Sequence, residues 1–201
     1  MSGSLPLFGD LEPSASQMPE GFRYISDVIS VADERALVQA FEKLPLQPFE
    51  FQGFLANRRI FTFGLKYIFA GQKPRADASI PDYLRPLTKI AAAISGKPAA
   101  AFEQLMVTEY GPGAGIGWHV DRPSYEEIVS ISFLAPCTLR LRQKVGKTWE
   151  RRSDLVEPRS VYLLSGPART KWQHSIPPLD ALRYSVTLRS FRPDRREGRA
   201  V

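Results

Sequence analysis

The sequence predicts a mainly β protein of the α+β class, a barrel or sandwich with two helices packed on one side. Two observations predict it. Short apolar-rich segments of strand length recur along the whole chain, and only two stretches, both in the N-terminal half, repeat apolar residues at helical spacing. A length of 201 residues with 43% hydrophobic and 24% charged side chains suffices for one sizeable core and excludes a disordered, collagen-like or coiled-coil chain.

Residues 1–19 mix Ser, Pro, Gly and acids without a period and are expected to be a mobile N-terminus. Residues 20–192 then form a single domain, and residues 193–201, charged and poor in apolar side chains, a basic mobile tail. Ser30 followed by Asp33 and Glu34 marks a helix start; Leu37, Val38, Phe41 and Leu44 continue it on one stripe until Pro45 stops it. A second helix is expected over Tyr83–Ser95, limited upstream by Pro86 and closed by Gly96 and Pro98. The strands expected are Phe49–Phe54, Arg58–Phe63, Lys66–Phe69, Gln104–Tyr110, Ile128–Leu134, Thr138–Arg142, Ser160–Leu164, Lys171–Ile176 and Arg183–Phe191. In Thr138–Arg142 the leucines face one way and the arginines the other.

Cys137 is the single cysteine, so it can close no internal disulfide and build no thiolate zinc site, which points to a reducing compartment, the cytoplasm. No targeting segment or membrane-length apolar run is visible, so no membrane association is expected. The net charge is +6 with the excess in the body of the chain, because residues 1–20 contain only the acids Asp10, Glu12 and Glu20. A basic body favours a polyanionic partner such as nucleic acid.

Only two histidines occur, and their placement carries the chemistry. His119 and Asp121 are two apart, so on an extended segment they leave one face; His174 lies on a separate predicted strand. Two imidazoles and one carboxylate make the facial triad of non-haem Fe(II) oxygenases, with open positions left for a cosubstrate and dioxygen. The same set also ligates catalytic zinc in hydrolases. Arg183-Tyr-Ser-Val-Thr-Leu-Arg189 separates these: the two arginines share a face with Ser185 and Thr187, while Tyr184, Val186 and Leu188 take the other. Inward guanidinium groups are costly unless they meet anions, and a dicarboxylate such as 2-oxoglutarate fits the bidentate fork.

Taken together, Tyr110-Gly-Pro-Gly, His119-Val-Asp121, Ser165-Gly-Pro-Ala-Arg169, His174-Ser-Ile-Pro-Pro and Arg183-x5-Arg189 resemble the AlkB-like Fe(II)- and 2-oxoglutarate-dependent dioxygenases, over roughly residues 58–192 and in that family's order. The resemblance implies a double-stranded β-helix, or jelly roll, with Fe(II), 2-oxoglutarate and O2 as cofactors. His119, Asp121 and His174 would hold iron. Arg183, Arg189, Tyr110, Thr108 and Ser185 would bind the cosubstrate, Thr108 and Ser185 standing where the family often has asparagine. The implied reaction is oxidative demethylation of alkylated bases in DNA or RNA, releasing succinate, CO2 and formaldehyde.

One position departs from the base-repair members, which carry an acid two residues beyond the metal aspartate; here it is Pro123, which has no acceptor side chain. The Arg159–His174 segment is more similar to the branch that modifies wobble uridines of transfer RNA, although a chain of 201 residues has no room for that branch's methyltransferase and RNA-recognition modules. Hydroxylation of a transfer-RNA base, a protein side chain or a small molecule is therefore the alternative reaction, and a catalytically silent nucleic-acid-binding module the third reading. No obligate protein partner is expected.

Phe51, Phe54, Arg58, Arg59, Phe61, Phe63 and Tyr67 interleave rings with cations ahead of and around Gly64, as a nucleotide lid would. Arg58, Arg59, Phe61 and Arg122 are the candidate substrate contacts. Arg140, Arg142, Lys144, Lys147, Arg151 and Arg152, opposed by Glu150, form the densest basic stretch, either a phosphate track or a solvated hairpin face. The glycines at 111, 113, 115 and 117 suggest a flexible loop before the iron strand rather than a phosphate cradle.

Overall fold

The computed structural model describes residues 18–51, 54–66, 75–76 and 78–193. The predicted termini, apart from residues 18, 19 and 193, together with residues 67–69 of the expected Lys66–Phe69 strand, lie outside the described residues. Of Phe51 and Phe54 only the backbone is described.

Two antiparallel sheets lie face to face, as in a jelly roll. The major sheet runs β1 (Phe22–Ile25), β10 (Val161–Leu164), β7 (Tyr125–Phe133), β12 (Arg183–Phe191), β5 (Phe102–Tyr110), β3 (Phe54–Lys66) and β2 (Gln47–Phe51) in spatial order, with β4 (Arg75–Ala76) paired to β3. The minor sheet orders β6 (Ile116–His119), β11 (Gln173–Ile176), β8 (Cys137–Val145) and β9 (Thr148–Val156).

Helices α1 (Val31–Phe41) and α2 (Arg85–Ser95) cover one face of the major sheet, as the apolar stripes predict. At the start of α1, Ser30 Oγ accepts the Asp33 amide at 3.1 Å, satisfying one of the free first-turn donors. Gly96 ends α2 in the left-handed region, φ 80°. Phe41, Leu84, Leu87 and Ala91 bury completely against Leu105, Val107, Ile131, Val186 and Leu188 of the sheet. Each large side chain withdrawn from water here contributes roughly 2 kcal/mol. A second cluster fills the space between the sheets, with Leu139 and Leu141 of β8 packed against Ile128, Tyr162 and Leu164.

Five strands and α-helices go beyond those the sequence predicts: β1, β4, β6, β9 and the short helix α3 (Gly166–Thr170). Strand β3 is also one continuous element where two are expected. The Gly111–Gly115 loop is fastened at both its turns, since the Gly113 amide donates to Leu179 O at 2.7 Å and the Leu179 amide to Ala114 O at 3.0 Å. Gly115 itself lies so close to β11 that a Cβ would stand 2.7 Å from Ile176 O. That glycine is there for close approach and the loop is pinned, where the sequence suggests flexibility.

Candidate metal and 2-oxoglutarate site

A cavity of about 530 Å³ opens between the sheets, and its floor is the face of the major sheet turned away from the helices. Strand parity makes this floor polar. On β12, Arg183, Ser185, Thr187 and Arg189 face the cavity, while Tyr184, Val186 and Leu188 enter the helix-side core, which is the division the sequence predicts. Ser130 of β7, together with Gln104, Thr108 and Tyr110 of β5, extends the floor.

The minor sheet supplies the roof. β6 and β11 pair so that His119 and His174 are directly opposed, ring centroids 4.1 Å apart. Asp121 follows β6, and one donor atom each from His119, Asp121 and His174 lies within 4.8 Å of the others. His119 Nδ1 donates to Gly117 O at 2.8 Å, because a carbonyl can only accept, so the neutral ring keeps its lone pair on Nε2. His174 Nε2 stands 3.7 Å from Asp121 Oδ2.

The surroundings of this cluster set the protonation states of its side chains. Burial pushes the Asp121 carboxyl up, but Arg189, His174, His119 and Arg169 together outweigh it and hold the group at about 2. Burial lowers His174 to about 4, against the opposing pull of Asp121. Both side chains therefore stand in their metal-binding forms near neutrality: a carboxylate and an imidazole free of its extra proton.

Arg169 on α3 closes the turn behind Asp121. Its Nη2 donates to Asp121 O at 3.1 Å and Tyr125 O at 3.3 Å, and also to Arg122 O. Arg189 approaches Asp121 Oδ1 at 3.6 Å through Nη2 and donates from Nη1 to Gln104 Oε1 at 3.0 Å.

Arg183 is different. It is fully buried, it donates one hydrogen bond from Nη2 to Ser132 Oγ at 2.6 Å, and its Nε and Nη1 have no partner. The Tyr110 ring lies 5.1 Å from its guanidinium carbon, and the nearby hydroxyl Thr108 Oγ1 is also unpartnered. A buried cation with two unmet nitrogens costs several kcal/mol unless an anion completes it. The carboxylate of an oxo-acid fits that requirement, and the two-imidazole, one-carboxylate set fits Fe(II).

These observations agree with comparison to known proteins. The family described as the 2OG-Fe(II) oxygenase superfamily matches residues 22–192. This chain belongs to that superfamily. Fe(II), 2-oxoglutarate and O2 are the superfamily's metal and cosubstrates. The oxygenase is AlkB-like: it is 27% identical over 198 residues to an Arabidopsis thaliana protein named as an alkylated DNA repair ALKBH8 homolog, covering 86% of this chain and 56% of that one. It is also 27% identical over 174 residues to the mouse tRNA (carboxymethyluridine(34)-5-O)-methyltransferase ALKBH8, covering 80% of this chain and 25% of the mouse protein. The oxygenase thus spans about half or less of these relatives. Its fold matches the structure of OsALKBH1 with a TM-score of 0.67 at 15% identity, over 87% of this chain and 98% of the other.

The candidate substrate contacts divide by strand parity. Arg58 of β3 lines the cavity with Ile60 and Thr62, its guanidinium carbon 4.3 Å from the Phe49 ring centroid, and burial lowers its pKa. Arg122 lines the cavity too. Arg59 and Phe61 do not, because alternation sends them to the opposite face. There Arg59 pairs with Glu109 through two hydrogen bonds of 2.7 and 2.8 Å, and Phe61 stacks edgewise on Phe63 at 4.8 Å beside the helix-side core.

Sequence reasoning misses Ser130, Ser132, Gln104 and Tyr162, and it quotes Arg169 in a motif without assigning it the role of holding the turn behind Asp121. The serines carry a signal: in Val129-Ser-Ile-Ser-Phe133 the two hydroxyls share one face of a strand that is otherwise apolar. Among the described residues no helix is long and apolar enough to cross a membrane.

Proposed function

We propose that this protein oxidises an alkylated base in nucleic acid, consuming 2-oxoglutarate and O2 at an Fe(II) centre and releasing the alkyl carbon as formaldehyde. The observation that carries the proposal is the buried Arg183 guanidinium, with two unmet nitrogens in the same cavity as the His119–Asp121–His174 cluster. An anion-completing arginine is what a 2-oxoglutarate enzyme needs and a zinc hydrolase does not.

In this reading His119, Asp121 and His174 hold the metal. Bound Fe(II) with 2-oxoglutarate and O2 supplies the oxidising power for attack on an unactivated C–H bond. Arg183 receives a cosubstrate carboxylate, helped by Tyr110 and by the hydroxyls of Thr108 and Ser185. Arg189 keeps Asp121 ionised and in place, and Arg169 fixes the turn that carries it. Arg58 and Arg122 remain at the cavity wall to meet the substrate, with Phe49 beside Arg58. The names of the relatives, one for alkylated DNA repair and one for a methyltransferase acting on tRNA, support nucleic acid as the substrate class. A lone buried thiol, Cys137, supports a reducing compartment such as the cytoplasm.

Aerobic incubation with Fe(II), 2-oxoglutarate and methylated single-stranded oligonucleotides, following succinate, formaldehyde and base mass together, tests this. Matched succinate, formaldehyde and loss of methyl is the expected result. Pro123 favours a second reading, in which a transfer-RNA base is hydroxylated and the oxygen retained, since the position offers no side-chain acceptor to a methylated base. Succinate with a base heavier by one oxygen would select it. No succinate under any condition would overturn both.

A further inference from the structure

The outer face of the minor sheet plays no part in the chemistry above, yet its cations are arranged in register. On β8 the side chains of Arg140, Arg142 and Lys144 turn outward while Leu139 and Leu141 bury. Register places Arg142 opposite Arg151, Lys144 opposite Trp149 and Arg140 opposite Ser153, so these residues share that face. The acids of β9 are sorted to the other side: Glu150 and Asp154 stand opposite Gln143 and Leu139. Among the described residues no carboxylate lies within ion-pair distance of Arg140, Arg142, Lys144 or Arg151.

Two tryptophans fix the centre of this face. The Arg142 guanidinium carbon lies 4.3 Å from the Trp118 ring centroid and 4.2 Å from that of Trp149, and Arg140 stands 5.1 Å from Trp118. The Nε groups are also spoken for, Arg142 donating to Gln173 Oε1 at 2.8 Å and Arg140 to Ser175 Oγ at 3.1 Å. A solvated arginine keeps its rotamers. Holding Arg142 between two indoles costs side-chain entropy, and its outward nitrogens are left set for an anion. Gln173 and Ser175 flank His174, and Trp118 borders both this face and the cavity, so the surface runs into the metal cluster at β6.

We propose that this face carries the phosphate backbone of a single-stranded nucleic acid whose reacting base enters the cavity past Trp118. Arg140, Arg142, Lys144 and Arg151 meet phosphates, and Trp149, 36% exposed, offers its ring to a neighbouring base. Aromatic faces interleaved with unpaired cations suit bases on a phosphate chain; an acidic peptide would use the charge alone. The assignment rests on the nucleic-acid reading above and names where the strand lies.

The test is binding of a fluorescent, unmodified single-stranded oligonucleotide by the full chain, measured by anisotropy over a range of salt. Lys144→Glu with Arg151→Glu changes two exposed side chains outside the cavity, and thermal melting confirms that the variant folds. The expected result is at least tenfold weaker binding at low salt, with a slope of log K against log salt flatter by about 1.4, roughly 0.7 for each phosphate no longer neutralised. A folded double variant with unchanged affinity and slope would overturn the proposal. So would loss of polyglutamate binding with oligonucleotide binding intact, which would assign the face to an acidic protein. The measurement needs no turnover. An oligonucleotide bound through this face but never oxidised would sink the base-oxidation reading alone, whereas one oxidised normally by the double variant at wild-type affinity would sink this surface alone.

Discussion

His119 and His174 are direct register partners across the β6–β11 pair, their ring centroids 4.1 Å apart on the cavity side of the minor sheet. Backbone pairing, rather than a mobile loop, therefore sets the separation of the two imidazoles. The third donor, Asp121, leaves the strand end and is held from behind by Arg169 and from across the cavity by Arg189.

Replacing His119, Asp121 or His174 with alanine is expected to lower 2-oxoglutarate consumption by more than about 100-fold, since a direct metal ligand counts for at least as much as the outer partners whose loss costs roughly 10–100-fold. Succinate formation checks it. Wild-type turnover by any of the three variants would remove that residue from the metal site.

Arg183→Lys keeps a positive charge but loses the fork. The KM for 2-oxoglutarate should rise roughly 10- to 100-fold, the size of one or two charge-assisted hydrogen bonds, with a smaller change in kcat. Steady-state kinetics with 2-oxoglutarate varied at saturating substrate gives the split. An unchanged KM would show that the unmet nitrogens serve another anion.

Arg58 and Arg59 are neighbours with opposite fates. Arg58→Ala should raise the KM for the nucleic-acid substrate and leave stability nearly unchanged. Arg59→Ala should leave that KM alone and cost at most about 1 kcal/mol of stability, because its pairing with Glu109 is a half-exposed surface interaction. Parallel kinetics and urea titrations of the two variants separate these outcomes, and a KM effect from Arg59→Ala would contradict the strand parity.

Much of this site is legible in the sequence because the residues of β12 obey strict alternation with an apolar far side. Tyr184, Val186 and Leu188 announce a core face, so Arg183 and Arg189 must take the other. The β3 strand offers no such asymmetry. Ile60 borders the cavity while Phe61 and Phe63 go to the core side, so apolar residues occur on both faces and parity alone does not say which side holds the substrate. Strand β9 is illegible for a related reason: Thr-Trp-Glu-Arg-Arg-Ser-Asp-Leu-Val is polar on both faces, its inner face half-buried through pairs such as Gln143 with Glu150. β6 is hidden by the glycines in and before it, and the role of Gly115, just ahead of the strand, shows only when Ile176 O is seen against it.

Gly115→Ala should displace β6 from β11, because the added methyl would stand within 2.7 Å of Ile176 O and 2.9 Å of the Pro177 carbonyl. The histidine spacing moves with it. A drop in affinity for Mn(II) or Co(II) of about 10-fold or more, the scale of disturbed ligand support, is expected at a modest loss of stability. Wild-type metal affinity in a folded variant would show that β6 tolerates the shift.

Acid should weaken the metal-free protein. Burial lowers His174 from its ordinary 6.5 to about 4, so between those values the unfolded chain binds a proton there that the folded chain refuses. Stability then falls as pH drops from about 6.5 to about 4, with no further loss from this group below that. Asp121, held at about 2 against an ordinary 3.8, removes more as pH falls through that lower window. Denaturant midpoints of metal-free protein at about pH 7 and about pH 4 test the sign, and equal midpoints would refute it.

Cys137 is the sole sulfhydryl in the sequence, only 3% exposed on β8, and burial raises its pKa. Thiol-directed reagents act on exposed thiolates, so the native protein should be silent toward them. A cysteine introduced at an exposed outer-face position such as Ser153 would then be the only one to react. One spin label or fluorophore can thus be set on the minor sheet without stripping the protein of its own cysteine first.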